Sequence, residues 1–150
     1  MITKVFNSFF LGLILYLILD FLVFIGIKTN YLDYYHIKEY YNVLFVDHQN
    51  YIILVIISFV FGYLMMQKKS AKAFAFFYIF LIVLSFSTFL TPIGRSIGEY
   101  LFRKNDLVFR LGKVKFSGDL LYKGRVYTYI YRKDINKVIK LKNSELTILK

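Results

Sequence analysis

The stretch Val5–Ile27, VFNSFFLGLILYLILDFLVFIGI, decides how the rest of the chain is read. Its 23 residues, wound as one helix, rise about 34 Å, enough to cross a hydrocarbon layer of about 30 Å. Asp20 is its single charged residue. Only Lys4 precedes the run as a charge, and no small-x-small cleavage pattern follows it. The stretch therefore reads as a retained first span, not a cleavable leader.

Composition points the same way. Hydrophobic residues make up 58% of the 150, against about 45–50% in soluble domains. One core of a chain this size cannot hide that much apolar surface, so lipid is expected to cover the remainder. The chain has no cysteine, which excludes disulfides, a thiolate nucleophile and cysteine-based zinc or iron–sulfur sites.

Two more spans follow from the same criterion. Tyr51–Met66 has 16 apolar or small residues and Ala73–Leu90 has 18, joined by the short hairpin Gln67–Lys72. A link that short makes its helices antiparallel neighbours. Ser58 and Gly62 on one and Ser85 on the other are small enough to let the two backbones approach. Pro92 is expected to end the third span, because its ring disfavours helical geometry at the residue before it. Between the first two spans, Tyr31, Tyr34, Tyr35, Tyr40 and Tyr41 suggest a short helix at headgroup level, with Leu44, Phe45 and Val46 dipping towards the membrane. Beyond Pro92, Ile93, Ile97, Tyr100 and Leu101 alternate with Arg95, Glu99 and Arg103, which predicts an amphipathic interfacial helix over residues 93–105.

From Asp106 the period changes to two. Val126, Thr128 and Ile130 fall on one face of a strand and Tyr127, Tyr129 and Tyr131 on the other. Turns are expected at Ser117–Asp119, Lys123–Gly124 and Asn143–Ser144, with Gly112 as a bulge inside a strand Leu107–Phe116. The expected fold class is an α+β membrane protein. Three transmembrane helices (residues 1–92) precede the interfacial helix and a small antiparallel β meander over residues 106–150.

The chain carries +11, and from Arg95 onward 14 Lys and Arg stand against 5 Asp and Glu. Lys4, Lys68, Lys69 and Lys72 cluster at one side of the spans. This favours a multi-pass plasma (inner) membrane protein with a cytoplasmic N-terminus and the basic tail outside. The expected partners are the lipid bilayer, other membrane proteins, a second copy of the chain, and anionic lipid or polymer. Nucleic acid would require the tail to be inside and is not favoured.

Two sets of residues stand out as sites. Asp20 is a carboxylate in a span, where insertion costs about 2.5–3.5 kcal/mol. It is expected to bond Ser58, Ser85, Ser87 or Thr88 between helices, to dock a partner's helix, or to handle protons or ions. Arg125, Tyr127, Tyr129, Tyr131, Arg132 and Lys133 form the candidate contact set for a partner, an anionic surface or stacked bases. Asp33, His36 and Glu39 fall three apart but match no metal-ligand spacing. No cofactor, metal or catalytic set is expected. The expected function is a non-catalytic subunit or accessory of a larger bacterial envelope assembly, such as a secretion or conjugation complex. The alternatives are a membrane immunity protein, a small transporter built around Asp20, and a membrane-tethered nucleic-acid binder.

Overall fold

The computed structural model describes residues 2–149. Helix α1, Ile2–Ile27, runs on through a π-helical turn, Lys28–Leu32. There follow α2 (Tyr41–Asp47), α3 (Tyr51–Met66), α4 (Ala71–Phe86) with a 3₁₀ turn Ser87–Phe89, and α5 (Thr91–Phe102). Strands β1 (Lys104–Leu111), β2 (Val114–Lys123), β3 (Tyr127–Arg132), β4 (Lys137–Lys142) and β5 (Leu146–Leu149) complete a mixed helix and antiparallel-sheet structure. Two helical stretches, Ile2–Leu32 and Ala71–Phe89, are long and apolar enough to cross a membrane. The count rises to three when α2 and α3, bent 85° from one another, are taken as one broken span.

The α1–α3 contact holds the helices together, and it is made by small residues spaced four apart. Ser8 and Gly12 face Gly62 and Ser58 in antiparallel order: a methyl group on Gly12 would sit 1.7 Å from the Ser58 carbonyl oxygen, and one on Gly62 1.7 Å from that of Ser8. Backbones this close gain dispersion contacts that larger residues would prevent. Ser58 and Gly62 thus serve the approach to α1, not the expected approach to α4. Helix α4 is tied to α1 by Tyr78, whose hydroxyl donates to the Leu15 carbonyl at 2.9 Å.

Two sequence expectations shift at the junction with the sheet. The break after α4 comes from Ser87 and Thr88, whose hydroxyls donate to the Leu84 and Ser85 carbonyls at 2.6 and 2.7 Å. Pro92 instead sits in the first turn of α5, where its missing N–H would have no partner anyway. Helix α5 leaves the Ile93, Tyr100 and Leu101 stripe exposed. It packs through Gly94, Gly98 and Phe102, because the Tyr31 ring and the Thr88 carbonyl press so close that only glycine fits. The tyrosine-rich segment is not a helix at headgroup level throughout. Tyr31, Leu32 and Ile37 are fully buried, and only Tyr41–Asp47 is α-helical.

Strands β1 to β4 run as a meander, and β5 adds to the far side of β1. Only residues 143–145 link β4 to β5, although these strands lie at opposite edges of the sheet. Four steps of chain reach about 14 Å, whereas four strand spacings laid flat measure about 19 Å. The sheet must therefore curl into a barrel-like wall. Phe109, Leu120 and Ile130 fill its inside, with Ile139 and Leu141 from β4 and Leu146 and Ile148 from β5 against them. Gly112 is not a bulge but the first residue of a two-residue hairpin, with φ of +58° and Leu111 paired to Val114, the position where such turns favour glycine. Ser117–Asp119 is not a turn but lies inside β2. Register shifts fall instead between Lys104 and Leu107 in β1 and between Leu120 and Tyr122 in β2.

Gly62→Val is expected to cost about 3 kcal/mol of stability in mixed-micelle unfolding, since the α1 backbone leaves no room for it. Val114→Thr, at an exposed site beside the hairpin, should stay within about 0.5 kcal/mol of the parent. Equal losses at the two positions would contradict the α1–α3 packing.

Candidate functional site

The sheet sits on the helices through one continuous apolar seam. Phe24 and Ile27 of α1, Tyr31, Leu32, Ile37, Leu44 and Phe102 meet Leu121, Tyr122 and Tyr129 of the sheet. At its centre Tyr31 lies on Phe102, with ring centroids 5.9 Å apart, and its hydroxyl donates to the Leu121 carbonyl at 2.8 Å. A π-helical turn widens the backbone there. The bulge in β2 frees the Leu121 carbonyl from regular strand pairing.

Charged groups rim the seam. Tyr35 donates to Glu99 at 2.8 Å; Arg95 bonds the same carboxylate at 3.3 Å and lies 3.9 Å over the Tyr34 ring. Arg103 reaches from Glu99 to Asp119, its guanidinium 2.8 Å from the Asp119 carboxylate. Asp119 is 1% exposed and also accepts from the Asp106 N–H at 3.0 Å, with the Lys133 ammonium at 3.3 Å. Burial alone would raise the Asp119 pKa; the Asp106 N–H, Arg103 and Lys133 outweigh it and hold the carboxyl below its ordinary value. Burial, then the bond to Glu99, pushes the Tyr35 phenol up.

The candidate contact residues are mostly engaged within the chain. Tyr129 is 3% exposed, and its hydroxyl donates to the Lys38 carbonyl at 3.3 Å. The tyrosine row is therefore not an open stacking platform, because its middle ring is inside the seam. Tyr131 bonds Asn136, Arg132 pairs with Asp134, and Lys133 holds Asp106 at 2.6 Å. Arg125 makes a two-pronged pair with Asp47 through its Nε at 2.8 Å and its terminal nitrogen. Tyr127 lies under the Lys140 ammonium, 3.8 Å from the ring centre. Together Arg125, Tyr127 and Lys140 line a cleft of about 600 Å³ between the sheet and the segment Lys38–Val43. Lys38 and Lys140, which sequence patterning did not single out, are its cations without a carboxylate partner among the described residues.

Asp20 does not bond the serines or threonine of the other helices. It accepts from Gln49, in the link between α2 and α3. This partner lies 29 residues away, in a loop whose fold the sequence pattern does not specify. Asp33 pairs with Lys28 at 2.9 Å. Among the described residues no three His, Asp or Glu side chains converge as metal ligands would.

Arg103→Gln should loosen the sheet by about 2 kcal/mol, since it takes the closest cation from the buried Asp119 carboxylate. The Asp119 pKa is lowered on folding, so its contribution is complete above the unfolded value of about 3.9 and is lost as pH falls through the folded one. Amide protection in β2, taken relative to the intrinsic exchange rate, should therefore fall below about pH 4, and Asp119→Asn should abolish that acid step while lowering stability at neutral pH. An unchanged acid step in the Asn variant would assign it elsewhere. No family model, curated protein or solved structure matches the chain.

Proposed function

We propose that the chain is a non-catalytic subunit or accessory of a larger envelope assembly. In this reading α1, the α2–α3 pair and α4 cross the membrane and carry the basic barrel-like sheet at its surface. One observation carries the reading: the helices turn large apolar side chains outward while their polar groups are used among themselves. Phe10, Ile14 and Phe21 of α1, Ile56 and Tyr63 of α3, and Phe76 and Phe80 of α4 are all exposed. Ser58 bonds its own helix, and Tyr78 bonds α1. Such a surface asks for lipid or for other proteins' helices, and it leaves no polar route for a solute.

The sheet is fixed to this anchor by apolar burial and ion pairs, so it presents a rigid surface instead of a tethered, mobile one. Lys104, Arg110, Lys113, Lys115, Lys123, Lys137 and Lys142 make no ion pair among the described residues. These cations suit an acidic protein face, anionic lipid or an anionic polymer. The position of Asp20 supports a tie, not a transport pathway. It stands seven residues before the end of α1, about 10 Å along the axis, and bonds the adjoining loop.

Affinity capture of the full chain from mild detergent, after cross-linking in cells, is expected to recover other membrane proteins in constant ratio. Recovery of a free monomer alone would overturn the reading. Asp20→Asn should retain that association. A reporter fused after Lys150 should be active only outside the cytoplasm, whereas activity inside would reverse the orientation.

A further inference from the structure

The cleft between Lys38–Val43, the turn Arg125–Tyr127 and Lys140 is built, not incidental. Asn143 fixes the turn that carries Arg125. Its side-chain amide donates to the Gly124 carbonyl at 2.8 Å and the Arg125 carbonyl at 3.1 Å, and its backbone N–H donates to the Val126 carbonyl at 2.9 Å. Thr128 in turn donates to the Asn143 side-chain Oδ1 at 2.6 Å. Asp47 holds Arg125 from the other side. At the back, Gly124 admits the Glu39 carboxylate, which lies 2.6 Å from where a methyl group would stand. The lining thus has three cations against one carboxylate; Lys38 and Lys140 make no direct ion pair among the described residues, although the Glu39 carboxylate lies near enough for Lys140 to act on its charge.

What lies beside the cleft narrows its ligand. Helix α2 separates it from α1: Val43 lines the cleft, while Phe45 faces Phe24 with ring centroids 5.7 Å apart. Phe45 also closes the top of a second groove, about 410 Å³, whose other walls are Ile14, Leu17, Ile18, Phe21 and Leu22 of α1. A basic pocket and a purely apolar groove are therefore set on two sides of one seven-residue helix, about 10 Å across. Tyr40, 80% exposed, stands at the cleft mouth, where a phenol suits the boundary between wet and greasy surroundings.

The geometry points to this cleft as a binding site for the phosphate headgroup of an anionic phospholipid, held by Lys38 and Lys140, with an acyl chain in the groove below α2. The inference rests on the membrane placement proposed above. It names lipid, not a free anion or an acidic peptide, because the apolar groove has no use for either. Lys140, steadied over the Tyr127 ring, keeps its ammonium free to donate. Arg125, committed to Asp47, sets the shape of the cleft instead of binding the phosphate.

Native mass spectrometry of the full chain in detergent, titrated with phosphatidylglycerol and phosphatidylcholine, tests the site. Phosphatidylglycerol is expected to bind at clearly lower concentration. The Lys38→Gln/Lys140→Gln variant should weaken that binding roughly tenfold or more. Lys113→Gln/Lys115→Gln, at the hairpin tip, removes the same charge and should leave it unchanged. Equal loss in both variants, equal binding of the two lipids, or full displacement by millimolar inorganic phosphate would overturn the assignment. A chain that needs no detergent to stay in solution would instead sink the membrane reading itself. The two failures are therefore told apart.

Discussion

Everything above the helices depends on one phenol. Tyr31 closes the end of α1, fills the space that Gly98 leaves open, lies tilted against Phe102 and donates to Leu121. A buried hydroxyl in an apolar seam must find an acceptor or be costly to bury. Here the acceptor is a carbonyl that the β2 bulge has released from the ladder. Each irregularity answers the other: the π-helical turn aims the donor, and the bulge supplies the acceptor. In a regular strand the carbonyl would stay in the ladder, and the Tyr31 hydroxyl would be left unpaired. The seam's register is set by this match more than by its apolar area, which many arrangements could bury equally well.

Charge is divided between two roles. The acids of the second half are few, and the structure places most of them against specific cations: Glu99 with Arg95 and Arg103, Asp119 with Arg103 and Lys133, Asp134 with Arg132. Asp47, from the first half, takes Arg125. With the acids so engaged, the remaining lysines keep their full field. A positive surface of this kind arises because the carboxylates are consumed in holding the sheet down, and not only because basic residues are numerous. Removing a rim acid would therefore add exposed charge and loosen the sheet at the same time.

The helices were legible in the sequence because their signal is local. Tyr51–Met66 is bounded in the structure where its apolar run begins and ends. The alternation of Tyr127, Tyr129 and Tyr131 against Thr128 and Ile130 likewise gives two faces with different neighbours. Misreadings arose where a residue's role depends on a distant backbone. Gly118 resembles a turn glycine, yet it sits in β2 because the Tyr131 carbonyl and the Ile130 side chain crowd it. Gly94 and Gly98 look like weak points in an amphipathic helix, and they are its packing face. Ser58 and Gly62 promise a close approach without saying to which helix. The cleft was half legible: Arg125 and Tyr127 stood out beside each other, whereas Lys38 and Lys140 join them only through the fold.

The short crossover from β4 to β5 has a kinetic meaning. The last strand must find β1, bringing Leu149 opposite Val108 across almost the whole sheet, while each pairing among β1 to β4 joins strands that follow one another in the chain. Closing a long loop before any contact rewards it is slow. The β1 to β4 meander thus pairs first and offers a ready platform. The wall of strands shuts late, and until then Leu146, Ile148 and the inner face of β1 are uncovered. The interval between those two events is when this molecule is most exposed to aggregation, and a nearby lipid or protein surface would shield it best.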